Sequence, residues 1–230
     1  MIDKTTTLSQ ALEGVHDGFT VMVGGFGVPG TPFMLLDGLL AKGVKDLTLI
    51  KNEANEDHMG LSKLIEAARA KKIITSHLGL NATVIGMMNR GEIEVEFYPQ
   101  GILAEKIRAG GAGLFGLLTD IGLDTILRSK KVLVSWDGRE LIVEPALRAD
   151  LALIHAALGD RSGNLVFEKS ARNFNPIMAT ASDLVVAEVE RLVEIGQIDP
   201  DQIHTPGAFV DRVVLIERLT AEYGILERHV

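Results

Sequence analysis

The stretch that decides the fold runs from residue 17 to residue 32 and reads Asp17-Gly18-Phe19-Thr20-Val21-Met22-Val23-Gly24-Gly25-Phe26-Gly27-Val28-Pro29-Gly30-Thr31-Pro32. Its apolar, β-branched part predicts a strand over Phe19–Val23, which ends in a cluster of glycines. Pro32–Leu40 predicts a helix, with Thr31 as its N-cap and Pro32 at its first position. The stretch is therefore a strand, a glycine turn and a helix.

The rest of the first hundred residues repeats this alternation. Strands are predicted over Asp46–Ile50, Lys72–Thr75 and Ile93–Phe97, and Asn81 is placed to cap a helix over Ala82–Asn89. Such alternation is typical of an α/β fold with an open, largely parallel sheet flanked by helices. We expect the functional site at the loops that follow the strands.

The second half predicts a small antiparallel insertion followed by more of the main sheet. Lys131–Ser135 and Arg139–Glu144 flank Asp137-Gly138, a dipeptide suited to the positive φ angles of a tight hairpin. Further apolar runs that extend the sheet are Asp150–Ala156, Leu184–Ala187 and Arg212–Ile216. We expect residues 1–230 to form a single domain, in which residues 219–230 are a docking helix or a tail.

Composition excludes several classes of function. The net charge is -8, with 23 basic residues scattered among 31 acidic ones, which argues against nucleic-acid binding. We see no apolar run long enough to span a membrane and no signal sequence, so we expect a cytoplasmic protein. The absence of cysteine excludes a thiol nucleophile and Cys-ligated zinc, and the six histidines are too scattered for a metal site.

The glycine turn has two interpretations. Glycines allow a ligand to approach the backbone closely, and free N–H groups at a helix start attract phosphate or a developing oxyanion. Gly25, Gly27 and Gly30 also have the G-x-G-x-x-G spacing of dinucleotide-binding proteins. Three glycines alone do not distinguish a dinucleotide site from a turn that only joins a strand to a helix.

The whole stretch resembles the hallmark of family I CoA-transferases, which is Asp-Gly, two residues, three aliphatics, Gly-Gly-Phe, three residues and Gly-x-Pro. The resemblance continues through five later segments: residues 97–101, 107–113, 147–152, 170–176 and 205–208. It implies the alpha subunit of an acetate, acetoacetate or 3-oxoacid CoA-transferase, with a fold shared with sugar-phosphate isomerases. Metabolism of short-chain fatty acids or ketone bodies follows from the same resemblance.

The resemblance also implies a division of labour between two unlike subunits. The family's nucleophile is a glutamate in a Ser-Glu-Asn-Gly motif on the beta subunit, and this chain has no such motif. We therefore expect no catalytic residue here, a beta-subunit partner in an α2β2 heterotetramer, and no tightly bound cofactor. Coenzyme A is then a co-substrate exchanged between short-chain acyl-CoA and carboxylic acids. Its expected binding residues are Gly24, Gly25, Phe26, Gly27, Val28, Pro29 and Gly30.

Substrate contacts are expected from the loops after the second and fourth strands. Gln100 offers an amide donor and an acceptor to a carboxylate or thioester oxygen, although it also suits loop backbone groups. Asn52 follows the second strand and is a further candidate. Glu53, next to it, is the nearest imitation of the missing motif. We interpret Glu53 as a solvated or interface-lining residue rather than a nucleophile.

One loop departs from the family pattern. Relatives commonly read Thr-Pro-Thr-Gly-x-Gly-Thr where this chain has Asp120 and Asp124, which adds two negative charges near the expected acyl pocket. These carboxylates would recognise an amino-substituted acid, or they cap turns and face solvent. Both interpretations stay open.

Other functions and other charged residues also stay open. A dinucleotide-binding oxidoreductase is the rival enzyme, and a non-catalytic scaffold protein of the same fold is the rival outside enzymology. Glu92, Glu94 and Glu96 alternate along one strand face and indicate a solvated edge. Arg148 and Arg172 suit either CoA phosphates or ion pairs, and the residues alone assign neither.

Overall fold

The computed structural model describes residues 2–224, in which strands and helices alternate through most of the chain. The strands are β1 (Thr20–Val23), β2 (Leu47–Ile50), β3 (Ala70–Thr75), β4 (Glu94–Phe97), β5 (Gly116–Thr119), β6 (Val132–Trp136), β7 (Arg139–Pro145), β8 (Ala149–Asp160), β9 (Leu165–Val166), β10 (Ser182–Val193) and β11 (Arg212–Leu215). The helices are α1 (Leu8–Ala11), α2 (Phe33–Lys42), α3 (Leu61–Glu66), α4 (Ala82–Asn89), α5 (Gln100–Gly111), α6 (Asn175–Thr180) and α7 (Ala221–Gly224). None of these described helices is long and apolar enough to cross a membrane.

The main sheet has eight strands, and β1 lies in its middle. Its order is β11-β10-β8-β1-β2-β3-β4, and β9 pairs with β8 off this path. Every pairing along the path is parallel, and only β9 runs antiparallel. The expectation of an open, largely parallel sheet is therefore confirmed. The strand order reverses between β1 and β8, and this reversal is where parallel sheets bind ligands.

Both faces of β1 are buried, because helices cover the sheet on each side. Val21 and Val23 pack into one apolar cluster with Leu39, whereas Met22 points the other way into a cluster with Ile102. All five side chains are at most 3% exposed. Burial of each is worth roughly 1.5–3 kcal/mol, so β1 is held rigidly and delivers the glycine turn at a defined position.

The start of α2 differs from the prediction. The helix begins at Phe33 with Pro32 at the N-cap, and Pro32 makes no side-chain cap. Thr31 is not the cap because its hydroxyl donates instead to the carbonyl of Gly27 at 2.7 Å. Asn81, in contrast, caps α4 as predicted by accepting a hydrogen bond from the Val84 N–H at 2.7 Å.

A separate three-stranded antiparallel sheet of order β5-β7-β6 is formed by the part of the chain between β4 and β8. Asp137 and Gly138 have φ angles of 50° and 72° at the turn between β6 and β7. These angles suit the tight hairpin turn that the Asp-Gly dipeptide predicts. The predicted antiparallel insertion is confirmed.

The C-terminal segment docks on the main body as far as it is described. Tyr223 of α7 is buried, and its ring packs edge-on against Phe33 with a centroid distance of 5.1 Å. Glu222 lies 3.0 Å from the ammonium group of Lys63. The first part of the segment predicted over residues 219–230 is thus a docked helix, and residues 225–230 lie outside the described part of the chain.

Candidate functional site at the carboxyl edge of the sheet

Three parallel strands end at one edge of the sheet, and their loops carry most of the predicted site. β1 leads into the glycine turn, which we call the glycine loop (residues 24–30), and β2 leads into residues 51–55. β4 leads through Pro99 to Gln100 at the start of α5. Since parallel strands all point the same way, their carboxyl ends bring these loops together.

The glycine loop is held by close packing inside the chain. A Cβ at Gly25 would lie 2.8 Å from the backbone N and Cα of Thr31, and Gly25 has a φ angle of 100°. Gly27 also has a positive φ angle of 62°, but its Cβ position is open, with the nearest atom 3.9 Å away. Gly25 is therefore required for folding, whereas Gly27 leaves its face free for a ligand.

The N-terminus of α2 is closed to a ligand. The Met34 N–H donates to the Tyr223 hydroxyl at 3.0 Å, and the Leu35 N–H donates to the Glu188 carboxylate at 2.9 Å. A carboxylate at this position satisfies the positive end of the helix dipole. The expectation that free N–H groups at the helix start bind phosphate is wrong for α2, because the protein supplies its own anion.

The glycine loop itself retains free donors. The N–H groups of Gly27 and Val28 have no hydrogen-bond partner within residues 2–224, and both residues are half-buried. Neighbouring N–H groups are paired: Phe26 donates to the carbonyl of Pro29, and Gly25 donates to the Asn173 side chain. A ligand at this edge is therefore met by the turn of the loop and not by the helix start.

The carbonyl of Gly27 anchors the glycine loop to the loop after β2. It accepts from the Thr31 hydroxyl at 2.7 Å, from the Asn55 amide at 2.8 Å and from the Lys51 ammonium at 3.5 Å. Lys51 and Asn55 are both buried. Three donors on one carbonyl fix the direction in which the Gly27 backbone faces.

Gln100 joins this polar network from the other side. Its Nε2 donates to Oδ1 of Asn52 at 2.8 Å, and Nδ2 of Asn52 donates to Glu53 at 2.5 Å. Asn52 is 0% exposed, so it reaches the outer cleft only through Gln100, which is exposed. The sequence predicted both residues as substrate contacts, and the structure brings them together.

Glu53 is not solvated, so the first alternative of our interpretation is wrong, whereas an interface-lining role stays a prediction. It is 3% exposed and forms an ion pair with Lys51, which is fully buried. The pKa of Lys51 lies below its usual value because burial lowers it more than the carboxylate of Glu53 raises it. Sequence proximity alone does not indicate that two charged neighbours on a loop both turn inward.

An open cleft of ≈ 260 Å³ lies above the network, with Phe26 of the glycine loop and Gln100 among its lining residues. Asn173 and Phe174 line it as well. The cleft therefore joins one predicted CoA-binding residue to the main predicted substrate contact.

Two asparagines at the start of α6 and just before it hold the glycine loop and were missed as site residues. Asn173 accepts from the Gly25 N–H at 3.1 Å and donates to the carbonyl of Pro29 at 2.9 Å. Asn175 is buried and donates to the carbonyl of Gly30 at 3.1 Å. The signal was present in the motif over residues 170–176, but nothing in the sequence indicates that these amides face a loop about 150 residues away.

Asp120 and Asp124 lie on the turns that follow β5, and both are exposed. Neither is among the residues that line the cleft beside Gln100. The backbone carbonyl of Asp120 closes a turn by accepting from the Leu123 N–H at 3.2 Å. Within this chain, these carboxylates face solvent.

The other charged residues that the sequence left open have structural partners. Arg148 bonds the Gly110 carbonyl at 3.1 Å and Asp183 at 2.9 Å, and the exposed Arg172 contacts His204. Glu94 and Glu96, on the edge strand β4, both pair with Lys72, whereas Glu92 precedes the strand and pairs with Arg90. These contacts account for the charges of Arg148 and the three glutamates without a ligand, whereas His204 is not a counter-ion for Arg172.

The sequence of the chain matches one known protein family over most of its length. The model of the family described as "Coenzyme A transferase" matches residues 5–215. The chain belongs to the coenzyme A transferase family. It is 46% identical over 215 residues to the alpha subunit of the acetate CoA-transferase of Escherichia coli K12, covering 94% of this chain and 98% of that protein. It is 44% identical over 224 residues to the corresponding subunit of the 3-oxoadipate CoA-transferase of Acinetobacter baylyi, covering 96% and 98%.

The fold of this CoA-transferase chain is also that of a solved acyl-CoA transferase. YdiF of Escherichia coli O157:H7, solved as a thioester complex with CoA, superimposes with a TM-score of 0.85 at 23% identity. The match covers 94% of this chain but only 48% of YdiF. The two relatives named above differ in the acid they are named for and are almost equally similar to this chain, so similarity does not assign its acid.

Proposed function

We propose that the chain is the alpha subunit of a heteromeric CoA-transferase (EC 2.8.3.-) that exchanges CoA between a short-chain acyl-CoA and a carboxylic acid. The observation that carries this proposal is the cleft lined by Phe26 and Gln100, which joins a positioned amide to the loop whose next two residues, Gly27 and Val28, keep free N–H groups. A partner, the beta subunit, supplies the glutamate on which a glutamyl-CoA intermediate forms. The single-domain organisation of this chain is part of the same proposal.

The chemistry divides between the two proteins of the complex. The glutamate of the partner attacks the thioester carbonyl, expels the CoA thiolate and forms an anhydride; the thiolate then attacks the glutamyl carbonyl and releases the first acid. The second acid reverses both steps. Each attack places negative charge on a carbonyl oxygen, which amide donors stabilise. Gln100 and the N–H groups of Gly27 and Val28 are the donors that this chain offers.

The dinucleotide-binding alternative has less support. A dinucleotide places its pyrophosphate at the helix start that follows the glycines, and in this chain Glu188 and Tyr223 occupy that position. The loop donors of Gly27 and Val28 suit a CoA thioester or a phosphate group without using the helix. A cradle made of the loop alone is therefore the form of CoA binding that we propose.

The small sheet offers a surface for the beta subunit. Six side chains on β6 and on the segments beside β5 and β6 are large, apolar and more than half exposed: Leu114, Phe115, Ile121, Ile126, Val132 and Trp136. Large exposed apolar side chains that are concentrated on one small sheet favour an interaction surface there. Contact of Asp120 or Asp124 with an acyl group requires a pocket that the partner completes, because both face solvent here.

The first test is reconstitution. The purified chain should show no CoA transfer between acetyl-CoA and acetoacetate, succinate or acetate, and it should gain activity when mixed with its beta subunit. Borohydride reduction during turnover should modify the partner and leave Glu53 unmodified. Turnover by the chain alone, or a label at Glu53, would overturn the division of labour; a complex that binds acyl-CoA without turnover would favour the scaffold alternative.

The second test concerns Gln100. Gln100→Ala in the assembled enzyme should lower kcat and kcat/KM together by about 10- to 1000-fold, as loss of one oxyanion donor does. Glu105→Gln is the matched control, because Glu105 lies on the same helix and pairs only with Arg108 at the surface. Equal kinetics for Gln100→Ala and the control would remove Gln100 from the substrate site.

A further inference from the structure

The proposed reaction does not use the buried ion pair of Lys51 and Glu53. Lys51 is 0% exposed and Glu53 is 3% exposed, so both charges have lost most of their hydration. A buried ion pair is a poor source of stability, since apolar residues of the same size are often as stable. Stability therefore does not explain why the pair lies next to Asn52, which holds the cleft residue Gln100, and another role is needed.

The pair determines the orientation of Asn52. An ionised carboxylate only accepts hydrogen bonds, so the neighbouring amide must turn its nitrogen toward Glu53. Nδ2 of Asn52 lies 2.5 Å from Oε2 of Glu53. The amide oxygen of Asn52 is thereby directed the other way, where it accepts from the Ser76 hydroxyl at 3.0 Å and from Nε2 of Gln100 at 2.8 Å.

The orientation of Asn52 in turn determines that of Gln100. Because Oδ1 of Asn52 is an acceptor, Gln100 must present its nitrogen to Asn52, and its second N–H and its oxygen remain for the cleft. If Asn52 were reversed, Gln100 would turn its oxygen inward and present a different set of groups to a ligand.

The same ion pair also contacts the glycine loop, through the ammonium group of Lys51. The ammonium group of Lys51 contacts Glu53 and lies 3.5 Å from the carbonyl of Gly27 in the glycine loop. The pair therefore lies between Asn52, which holds Gln100, and the glycine loop, of which Phe26 lines the cleft.

We propose that the Lys51–Glu53 pair is a positioning device that fixes, through Asn52, which groups Gln100 presents to the cleft. This inference rests on the proposed substrate contact of Gln100. Neither Lys51 nor Glu53 touches the substrate; both act through the amide that they orient.

A paired substitution tests the proposal in the assembled enzyme. Lys51→Met with Glu53→Gln keeps side-chain size, leaves no unpaired charge and allows Asn52 to turn over. We expect kcat to fall about 10-fold, at the low end of the loss expected for Gln100→Ala. KM for acyl-CoA should stay within about 2-fold of the wild-type value. In a Gln100→Ala background the same pair should cause no further loss, because no amide remains to be oriented.

The controls separate this inference from the proposed function. Arg90→Met with Glu92→Gln removes an exposed ion pair before the edge strand, 2.6 Å long, and should leave kcat unchanged. If Gln100→Ala lowers kcat but the Lys51/Glu53 substitution does not, only the positioning role is overturned. If Gln100→Ala itself has no effect, the substrate contact is wrong and the inference falls with it.

A second variant avoids the buried pair and any folding defect. Gln100→Glu, at an exposed position, places a carboxyl group opposite Oδ1 of Asn52. If Glu53 holds Asn52 in place, this carboxyl can donate a hydrogen bond to Oδ1 of Asn52 only while it is protonated, so its pKa should rise by at least about one unit above 4.3. Carbon-13 NMR titration of the labelled chain in the assembled enzyme measures it. A pKa at or below 4.3 would mean that Asn52 turned its N–H to the carboxylate, and the proposal would be wrong.

Discussion

Nδ1 of His155 lies 3.0 Å from Oε1 of Glu188, with both side chains at most 5% exposed. Burial lowers the pKa of His155, but hydrogen bonds and the charges of Glu188 and Glu190 outweigh it and raise the pKa from 6.5 to about 9. Glu188 also accepts from Tyr223 and from the Leu35 N–H of α2. The protonated imidazole therefore stabilises the carboxylate that closes the helix start.

This pair predicts a loss of stability at alkaline pH. The folded-state pKa of His155 is raised, so its contribution is complete below about pH 6.5 and disappears as pH rises through about 9. The shift corresponds to roughly 3 kcal/mol of unfolding free energy. Urea denaturation of the isolated chain between pH 6 and 10 measures it. His155→Gln should flatten this dependence, whereas His16→Gln, at an exposed histidine, should leave it as in the wild type.

Two glycines of the same loop should respond differently to alanine. Gly25→Ala places a methyl 2.8 Å from the Thr31 backbone, and we expect a destabilisation of about 3 kcal/mol or more. Gly27→Ala meets open space and bears only the strain of its positive φ, about 1–2 kcal/mol. Thermal unfolding checks the first effect. Gly27→Ala should also weaken the acyl-CoA affinity of the assembled enzyme at least about 10-fold, because its methyl group lies on the face left free for a ligand. A binding titration measures this loss.

A buried charge cluster should make the small sheet sensitive to one substitution. Glu144 lies 2.9 Å from the ammonium of Lys106 and 2.7 Å from that of Lys131. Glu144→Gln leaves two largely buried lysines without a counter-ion and should lower the unfolding free energy by about 3–5 kcal/mol. Glu140→Gln, whose partner Arg128 is about half exposed, should change it by less than about 1 kcal/mol. Equal effects in urea denaturation would contradict the importance of burial.

The partner surface predicts an assembly defect without a folding defect. Phe115 is fully exposed, so Phe115→Asp should not change the melting temperature of the isolated chain. In the complex it would bury a charge, and binding to the beta subunit should weaken by at least about 2 kcal/mol. Leu80→Asp, at a residue 67% exposed outside the small sheet, is the control. Sedimentation of the mixed proteins distinguishes them; wild-type assembly by Phe115→Asp would exclude this surface.

Much of the fold could be predicted because its signals are local. The strands around Val21, Leu49 and Val95 were recognised from short apolar runs, and Asp137-Gly138 predicted its own turn. Gln100 was predicted as a substrate contact because it follows a strand and Pro99, and it lines the cleft at the carboxyl edge of the sheet. The burial of Glu53 could not be predicted in this way, because whether a loop carboxylate faces solvent depends on residues that are distant in sequence and pack over it.

The sequence by itself determined a strand, a glycine turn and a helix, the parallel sheet around them and membership in the CoA-transferase family. Only the tertiary structure decided which donors of that turn remain free. Glu188 and Tyr223, 153 and 189 residues from the N–H groups they cap, occupy the start of α2. The physical reason is that strand alternation is encoded in neighbouring residues, whereas hydrogen-bond partners so far apart depend on where β10 pairs within the sheet and on how α7 packs against it.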